Sequence, residues 1–294
     1  MCDSQTRQAY HELLDAAIQY LEDLRAHGVR HVQLTDERLR VLSEPTLPPR
    51  PHPAPTPHAP GPQTAAASPS HQASLSLGPA TRKELTFPEK EAALGALRQR
   101  ALACRKCAHL AGARQNVVFG VGSVTAQLMF VGEAPGADED AQGEPFVGKA
   151  GQLLTRIIQT MGLTRETVYI GNILKCRPDT PSQAAGNRKP TPTEMVTCLP
   201  YLLEQIEIIQ PRVIVALGAT AVEGLLGKTE GITRVRGHWL EFRGVPLMPT
   251  YHPAYLLHRP MLSEKRKVWE DMLQVMERLG LPISKKQRGH FLKP

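Results

Sequence analysis

Long apolar runs are missing from this chain. No stretch approaches the roughly 18 residues that cross a bilayer as a helix, so no membrane association is expected. The amino terminus, MCDSQTRQAYHELL, lacks the basic-then-apolar pattern of a secretory leader, and a cytoplasmic location is the expectation. Cysteine is scarce, five in 294 residues. In a reducing compartment those thiols suit metal binding or chemistry better than disulfides. Aromatic residues make up 5%. A dinucleotide fingerprint is absent too: Gly120-Val121-Gly122 precedes a predicted strand instead of following one.

Proline, by contrast, is plentiful, with 26 residues, many of them between 45 and 86. That stretch, with PPRPHPAPTPHAPGP followed by Ala, Ser and Gly, buries too little apolar surface to order itself and reads as an extended linker. Its His52, His58 and His71 are irregularly spaced and read as solvated. Residues 5–42 before it read as helical, with Leu14, Ile18, Leu21 and Leu24 on one face. The expected organisation is a helical appendage at 1–44, a linker at 45–86, a globular domain at 87–282 and a basic tail at 283–294. The appendage offers a surface for an unnamed protein partner, and the chain is otherwise expected to act as a monomer. A net charge of +7 and a pI near 9.3 point to an anionic partner, nucleic acid first.

Within the globular part, apolar strands alternate with helices. Strands are expected at Gln127–Gly132, Val168–Asn172 and Val213–Leu217, with a hairpin joining Trp239–Phe242 to Val245–Met248. Helices are expected at Glu89–Leu102, Ala150–Met161, Gly218–Leu226 and Glu264–Leu279. Another starts at the capping box Thr191-Pro192-Thr193-Glu194, and Pro200 should kink or interrupt it. This alternation implies an α/β fold: a three-layer αβα sandwich around a mainly parallel sheet of about four strands. The loops after Val131, Ile170 and Met248 should gather at one edge of that sheet. The first is unusual. It carries Glu133, Asp138, Glu139, Asp140, Glu144 and a lone Phe146 in a basic chain.

Four cysteines fall in the globular part: Cys104 and Cys107 as Cys-x-x-Cys, then Cys176 and Cys198 near helix ends. Four thiolates suit a zinc ion or a [4Fe–4S] cluster. Zinc sites favour two local pairs, and 21 residues separate the second pair here. Cluster, zinc and unconnected thiols all stay open on these grounds.

The combination resembles the family 4 uracil-DNA glycosylases, the iron–sulfur branch of their superfamily. The resemblance rests on Gly132-Glu133-Ala134-Pro135-Gly136 with Pro145-Phe146-Val147-Gly148-Lys149-Ala150-Gly151. Tyr169-Ile170-Gly171-Asn172, Lys175-Cys176-Arg177-Pro178 and the loop His252-Pro253-Ala254-Tyr255-Leu256-Leu257 complete it, over about residues 90–280. It implies excision of uracil from DNA, leaving an abasic site for base excision repair. It implies that Cys104, Cys107, Cys176 and Cys198 hold a [4Fe–4S] cluster. Phe146 would stack on the flipped base, Asn172 read its Watson–Crick edge, and Gly132 and Ala134 border it. His252 would stabilise the leaving uracil anion, and Glu133, helped by Asp140, place or activate water. Leu256, Leu257, His258 and Arg259 would meet DNA, with His258 where relatives commonly carry Arg. One branch of the superfamily traps its product through a His in the segment matching Asn187-Arg188-Lys189-Pro190-Thr191; there is none here, so ordinary turnover is expected. Two alternatives are a glycosylase for another deaminated base, such as hypoxanthine, and a non-catalytic, polymerase-associated DNA-binding module that keeps the cluster.

Overall fold

The computed structural model describes residues 85–178, 188–227 and 231–292. The expected N-terminal helices, nearly all of the linker, and Ser182–Asn187 lie outside the described residues. The described chain opens with α1 (Phe87–Leu102), α2 (Ala108–Ala113) and the short β1 (Val121–Gly122). Then come β2 (Leu128–Gly132), α3 (Ala137–Gln142), α4 (Lys149–Thr160), β3 (Tyr169–Asn172), α5 (Pro192–Ile209), β4 (Val213–Leu217) and α6 (Ala219–Leu226). It closes with α7 (Ile232–Val235), β5 (Leu240–Phe242), β6 (Val245–Thr250), α8 (Pro253–His258), α9 (Leu262–Leu279) and α10 (Lys285–Gly289).

The sheet has six strands in the order β1-β3-β2-β4-β6-β5. Its centre, β3-β2-β4-β6, is parallel, as the alternation implied. Both edges are antiparallel: β1 on β3, and β5 as the anticipated hairpin with β6. The edge strand β1 is too short and glycine-rich to carry a strand signature.

Every residue of β2, β3 and β4 is buried, which is why these strands read as continuous runs rather than alternating ones. Alternate side chains still part to opposite faces. Met129, Val131, Ile214 and Ala216 pack with Leu202 and Ile206 of α5 and with Ala221 and Val222 of α6. Leu128, Phe130, Val213 and Val215 pack with Leu154 and Ile158 of α4 and with Trp269, Met272 and Met276 of α9. That makes the three layers.

The helices begin where side chains can take up their orphan N–H groups. In α5, Thr191 Oγ1 accepts the Glu194 N–H (3.2 Å) and Glu194 returns a carboxylate oxygen to the Thr191 N–H (2.7 Å). Of the kink or interruption expected at Pro200, the interruption does not occur; α5 continues through it. Pro200 and Val196 are exposed, so the carbonyl that loses its partner faces water, while buried Met195, Tyr201 and Leu202 hold the turns on either side. Part of the acidic loop forms α3, whose first turn carries Asp138, Glu139 and Asp140. Those charges face the positive end of the helix dipole, which favours them.

The basic segment after residue 282 folds back on the domain. Trp269 Nε1 donates to the Gln287 carbonyl (2.6 Å), and Gln287 Nε2 donates to the Thr160 carbonyl (2.7 Å).

Candidate active site

The carboxyl ends of β2, β3 and β6 deliver Gly132, Asn172 and Thr250, and their loops enclose a cleft of about 290 Å³. This is the small end of the range for ligand pockets, room for one ring system but not for a duplex. Glu133, Ala134, Glu139, Phe146, Asn172, Arg188 and His252 line it.

Its floor is set by one close approach. A methyl group on Gly132 would lie 2.4 Å from Asn172 Oδ1 and 2.5 Å from Phe146 Cζ, so only glycine lets the two side chains meet there. Asn172 is 2% exposed, and its Oδ1 is buried without a hydrogen-bond partner. An unpaired buried acceptor is costly, so it marks a place where a donor should arrive.

Phe146 is held in an unusual backbone conformation, φ 55°. Side chains rarely adopt it, and the surroundings must enforce it. Arg165 does so, donating to the Phe146 carbonyl (3.1 Å) and the Pro145 carbonyl (2.7 Å). Gly151 of α4 lets that backbone close in: a methyl there would lie 1.8 Å from the Phe146 carbonyl oxygen. Glu139 ties the loop from the other side, accepting from the Gly136, Val147 and Gly148 N–H groups at 3.0 to 3.1 Å. The Phe146 and His252 rings stand 5.6 Å apart between centres.

His252 caps α8, its Nδ1 accepting the Ala254 N–H at 3.2 Å. The ring proton of the neutral imidazole therefore sits on Nε2. Desolvation holds the imidazole well below its usual value, at about 4. At neutral pH the ring is thus an uncharged donor. The strand before it is pinned from behind: Thr250 Oγ1 donates to Asp271 Oδ2 (2.6 Å), and Arg236 pairs with the same carboxylate. Burial nonetheless lifts Asp271 to about 6.

Glu133, Ala134, Phe146, Asn172 and His252 thus meet, as the motifs suggested. Asp140 does not. Its carboxylate is buried away from the cleft and accepts the Gln115 and Asn116 N–H groups (3.1 to 3.3 Å), which joins α3 to the segment after α2. Leu256 is also misplaced by the motif reading. It is 4% exposed and packs with Tyr251 and Val268, leaving Leu257, His258 and Arg259 on the surface.

Two lining residues escaped the sequence reading. Glu139 sits three residues after Gly136, a capping spacing that could have revealed it. Arg188 reaches the cleft because Glu194, in the first turn of α5, grips it with two hydrogen bonds (2.6 and 2.8 Å). With Arg188 and His109 both donating to it, the Glu194 carboxyl is held down at about 2.

A second space is lined by Cys104, Cys107, Cys176 and Cys198 with Leu110, Arg114 and Leu174. None of these cysteines is disulfide-bonded. Arg114 donates to Cys176 Sγ (2.9 Å), and the Lys175 N–H donates to Cys198 Sγ (3.2 Å). Burial pushes Cys198 up to about 11 and raises Cys107 and Cys176 as well. Thiols raised in this way ionise together only when a cationic group offsets their charge. Among the described residues, no three His, Cys, Asp or Glu side chains already form a site for a single metal ion. No helix among them is long and apolar enough to cross a membrane.

The fold is an α/β sandwich with a small cleft at the carboxyl edge of its mainly parallel sheet. The family model described as the uracil DNA glycosylase superfamily matches residues 119–273, and the chain belongs to that superfamily. Several proteins named type-4 uracil-DNA glycosylases are similar to this chain. The Thermotoga maritima protein is 48% identical over 161 residues, 54% of this chain and 81% of that one. The Archaeoglobus fulgidus protein is 46% identical over 172 residues, 56% and 83% of the two chains. The Sulfurisphaera tokodaii protein is 39% identical over 205 residues, 67% and 89%.

Proposed function

We propose that this chain excises uracil with the cleft just described. As a member of its family it is a uracil-DNA glycosylase, a hydrolase of the N-glycosidic bond that acts in DNA repair. The residue roles that follow are our reading. The observation that carries them is the orphaned Asn172 Oδ1 at the cleft floor. Uracil flipped from the stack brings an N3–H to that acceptor and its O4 to the amide nitrogen. Cytosine has no N3–H and would leave the acceptor unpaired, which is how polar sites reject analogues. Phe146 stacks on the ring, and the main chain at Gly132 and Ala134 borders it.

Bond cleavage sends the C1′–N1 electron pair into the base, leaving a uracil anion and an oxocarbenium-like sugar. The neutral imidazole of His252 aims its Nε2–H at the developing charge. A donor placed this way contributes about 3 to 4 kcal/mol to a transition state. The Glu133 carboxylate favours the sugar cation and orients the water whose oxygen bonds C1′. Leu257, His258 and Arg259 face the duplex. The stretch Arg188-Lys189-Pro190-Thr191 supplies no nucleophilic His, so uracil and abasic DNA are released without a covalent adduct.

Cys104, Cys107, Cys176 and Cys198 would hold a [4Fe–4S] cluster. The donor set fits: four thiols border one space, with N–H groups on two of the sulfurs. A cluster needs its thiolates farther apart than a single ion does, and such sulfurs accept N–H bonds. When bound, it supplies cross-linking of α1, α2, the segment after β3, and α5. A cytoplasmic location would keep these thiols reduced.

The test is excision of uracil from an oligonucleotide by anaerobically purified protein, with iron content and visible absorption recorded. Release of uracil by brown, iron-bearing protein is expected. Release by colourless, zinc-bearing protein would remove the cluster. His252→Ala and Asn172→Ala should lower excision by about 100-fold or more while DNA binding persists; equal loss of binding would make them structural.

A further inference from the structure

Between the cleft and the cysteine space runs the short segment Asn172–Cys176. Lys175 within it is 2% exposed. Its ammonium donates to two neutral oxygens, the Asn172 main-chain carbonyl (3.0 Å) and Gln205 Oε1 (2.6 Å), and lies 6.0 Å from the centre of the Phe119 ring. Gln205 Nε2 donates onward to the Phe119 carbonyl and the Tyr169 hydroxyl, 2.9 Å each. The Lys175 main chain is engaged as well: its N–H on Cys198 Sγ (3.2 Å), its carbonyl on the Val118 N–H (2.8 Å). Just upstream, the Ile173 and Leu174 N–H groups donate to the carbonyls of Gly132 and Glu133, at 3.0 and 3.1 Å.

Burying an ammonium is expensive. Methionine would fill the same space without that cost, so packing alone does not explain a lysine here. What lysine adds is direction. Cys198 and Gln205 lie two turns apart on α5, on one face of the helix. Through Lys175 the segment is clamped to that face twice, at a cysteine sulfur by its backbone and at Gln205 by its side chain.

We propose that Lys175 is a positioning residue. It fixes the main chain at Asn172 so that the Asn172 amide meets the base edge, and it joins that placement to the seating of Cys198. The proposal rests on the reading in which Asn172 recognises the base. Lys175→Met removes both ammonium bonds while keeping the side-chain length, the four thiols and the N–H on Cys198.

The experiment uses the full chain, purified anaerobically, as wild type, Lys175→Met, Asn172→Ala and the double variant. Iron per chain, KM and kcat on a uracil oligonucleotide, and binding of free uracil are measured. Lys175→Met should keep the wild-type iron content and KM. Its kcat and uracil affinity should fall by about 10- to 100-fold, the usual range for groups that orient a functional side chain. The double variant should be no slower than Asn172→Ala alone, because the two act as one unit. Wild-type kcat in Lys175→Met would overturn the proposal. So would losses that multiply in the double variant, or activity lost in step with iron, which would confine Lys175 to housing the cysteines. Full activity in Asn172→Ala would instead overturn the base-reading role, and this inference with it. Should Lys175→Met fail to fold, Gln205→Leu removes one anchor of the ammonium; it should lower kcat several-fold with iron retained, and an unchanged kcat would overturn the proposal equally.

Discussion

At the scale of single residues, the cleft depends on the absence of one methyl group. Gly132→Ala would push against both Asn172 Oδ1 and the Phe146 ring. Displacing catalytic groups by about 1 Å can cost on the order of 100-fold in rate, so excision by this variant should fall by about that much in a single-turnover assay. Overpacking of this kind costs about 1 to 3 kcal/mol, and the melting temperature should drop accordingly; near-normal excision would mean that the two side chains are not held in register. His252 makes a pH prediction. Burial depresses its folded-state value from 6.5 to about 4. As pH falls, the unfolded chain takes up the proton first. The stabilisation from the neutral ring is therefore complete above pH 6.5 and is lost progressively towards 4. The folded enzyme keeps the uncharged imidazole over that whole window, so the acid limb of kcat should lie near 4. A limb near 6.5 would show an ordinary, solvated histidine.

The same residues show what a sequence can and cannot carry. Glu133, Phe146, Asn172 and His252 each stand in a short motif at a strand's carboxyl end or in the loop that follows, and strand order brings such ends together. Asp140 lies in the same acidic loop and Leu256 in the same motif as His252, but both point elsewhere, because their partners, Gln115 with Asn116 and Tyr251 with Val268, are fixed by tertiary packing. Arg188 reached the cleft through Glu194, a contact that no local pattern announces.

At the scale of elements, the five longer helices and the central strands were legible because each has a period, a cap or an unbroken apolar run. The missed pieces, β1, the short helices α2, α3, α7, α8 and α10, and the continuation of α5 through Pro200, depend on neighbours. The loop between β2 and α4 depends on them most. Phe146 stays at positive φ, at a cost of about 1 to 3 kcal/mol, because Arg165, Glu139 and the close approach at Gly151 enforce it. Arg165→Ala should release this loop. Hydrogen bonds to a charged group contribute about 1.5 to 3 kcal/mol, so the denaturation midpoint should fall, and excision by about 10-fold if stacking on Phe146 is worth about 1.4 kcal/mol or more. Arg165→Lys should restore only part, since a lysine cannot span both carbonyls as a planar fork does. Full recovery with lysine would mean that charge alone, not the fork, holds the loop.

At the scale of the whole molecule, the charge sits in the part that carries the cleft. Residues 1–84 hold eight Lys or Arg and nine Asp or Glu, which leaves 27 basic and 19 acidic residues in 85–294, a net charge of +8. Affinity for DNA falls with salt in proportion to the phosphates a protein neutralises, with a slope of about −0.9 per contact on duplex. A chain beginning at residue 85 keeps Leu85 and also Thr86, whose main-chain N–H and hydroxyl both bond Glu89 to start α1 (2.7 and 2.8 Å). Cutting after Thr86 would remove that cap, a loss of about 0.5 to 2 kcal/mol. The 85–294 chain should therefore fold, excise uracil from a short oligonucleotide at the full-length rate, and show the same slope of log affinity against log salt. A shallower slope with intact excision would place phosphate contacts in residues 1–84. Lost excision with intact iron would mean that residues before 85 help build the site, and that the division between appendage and enzyme falls elsewhere.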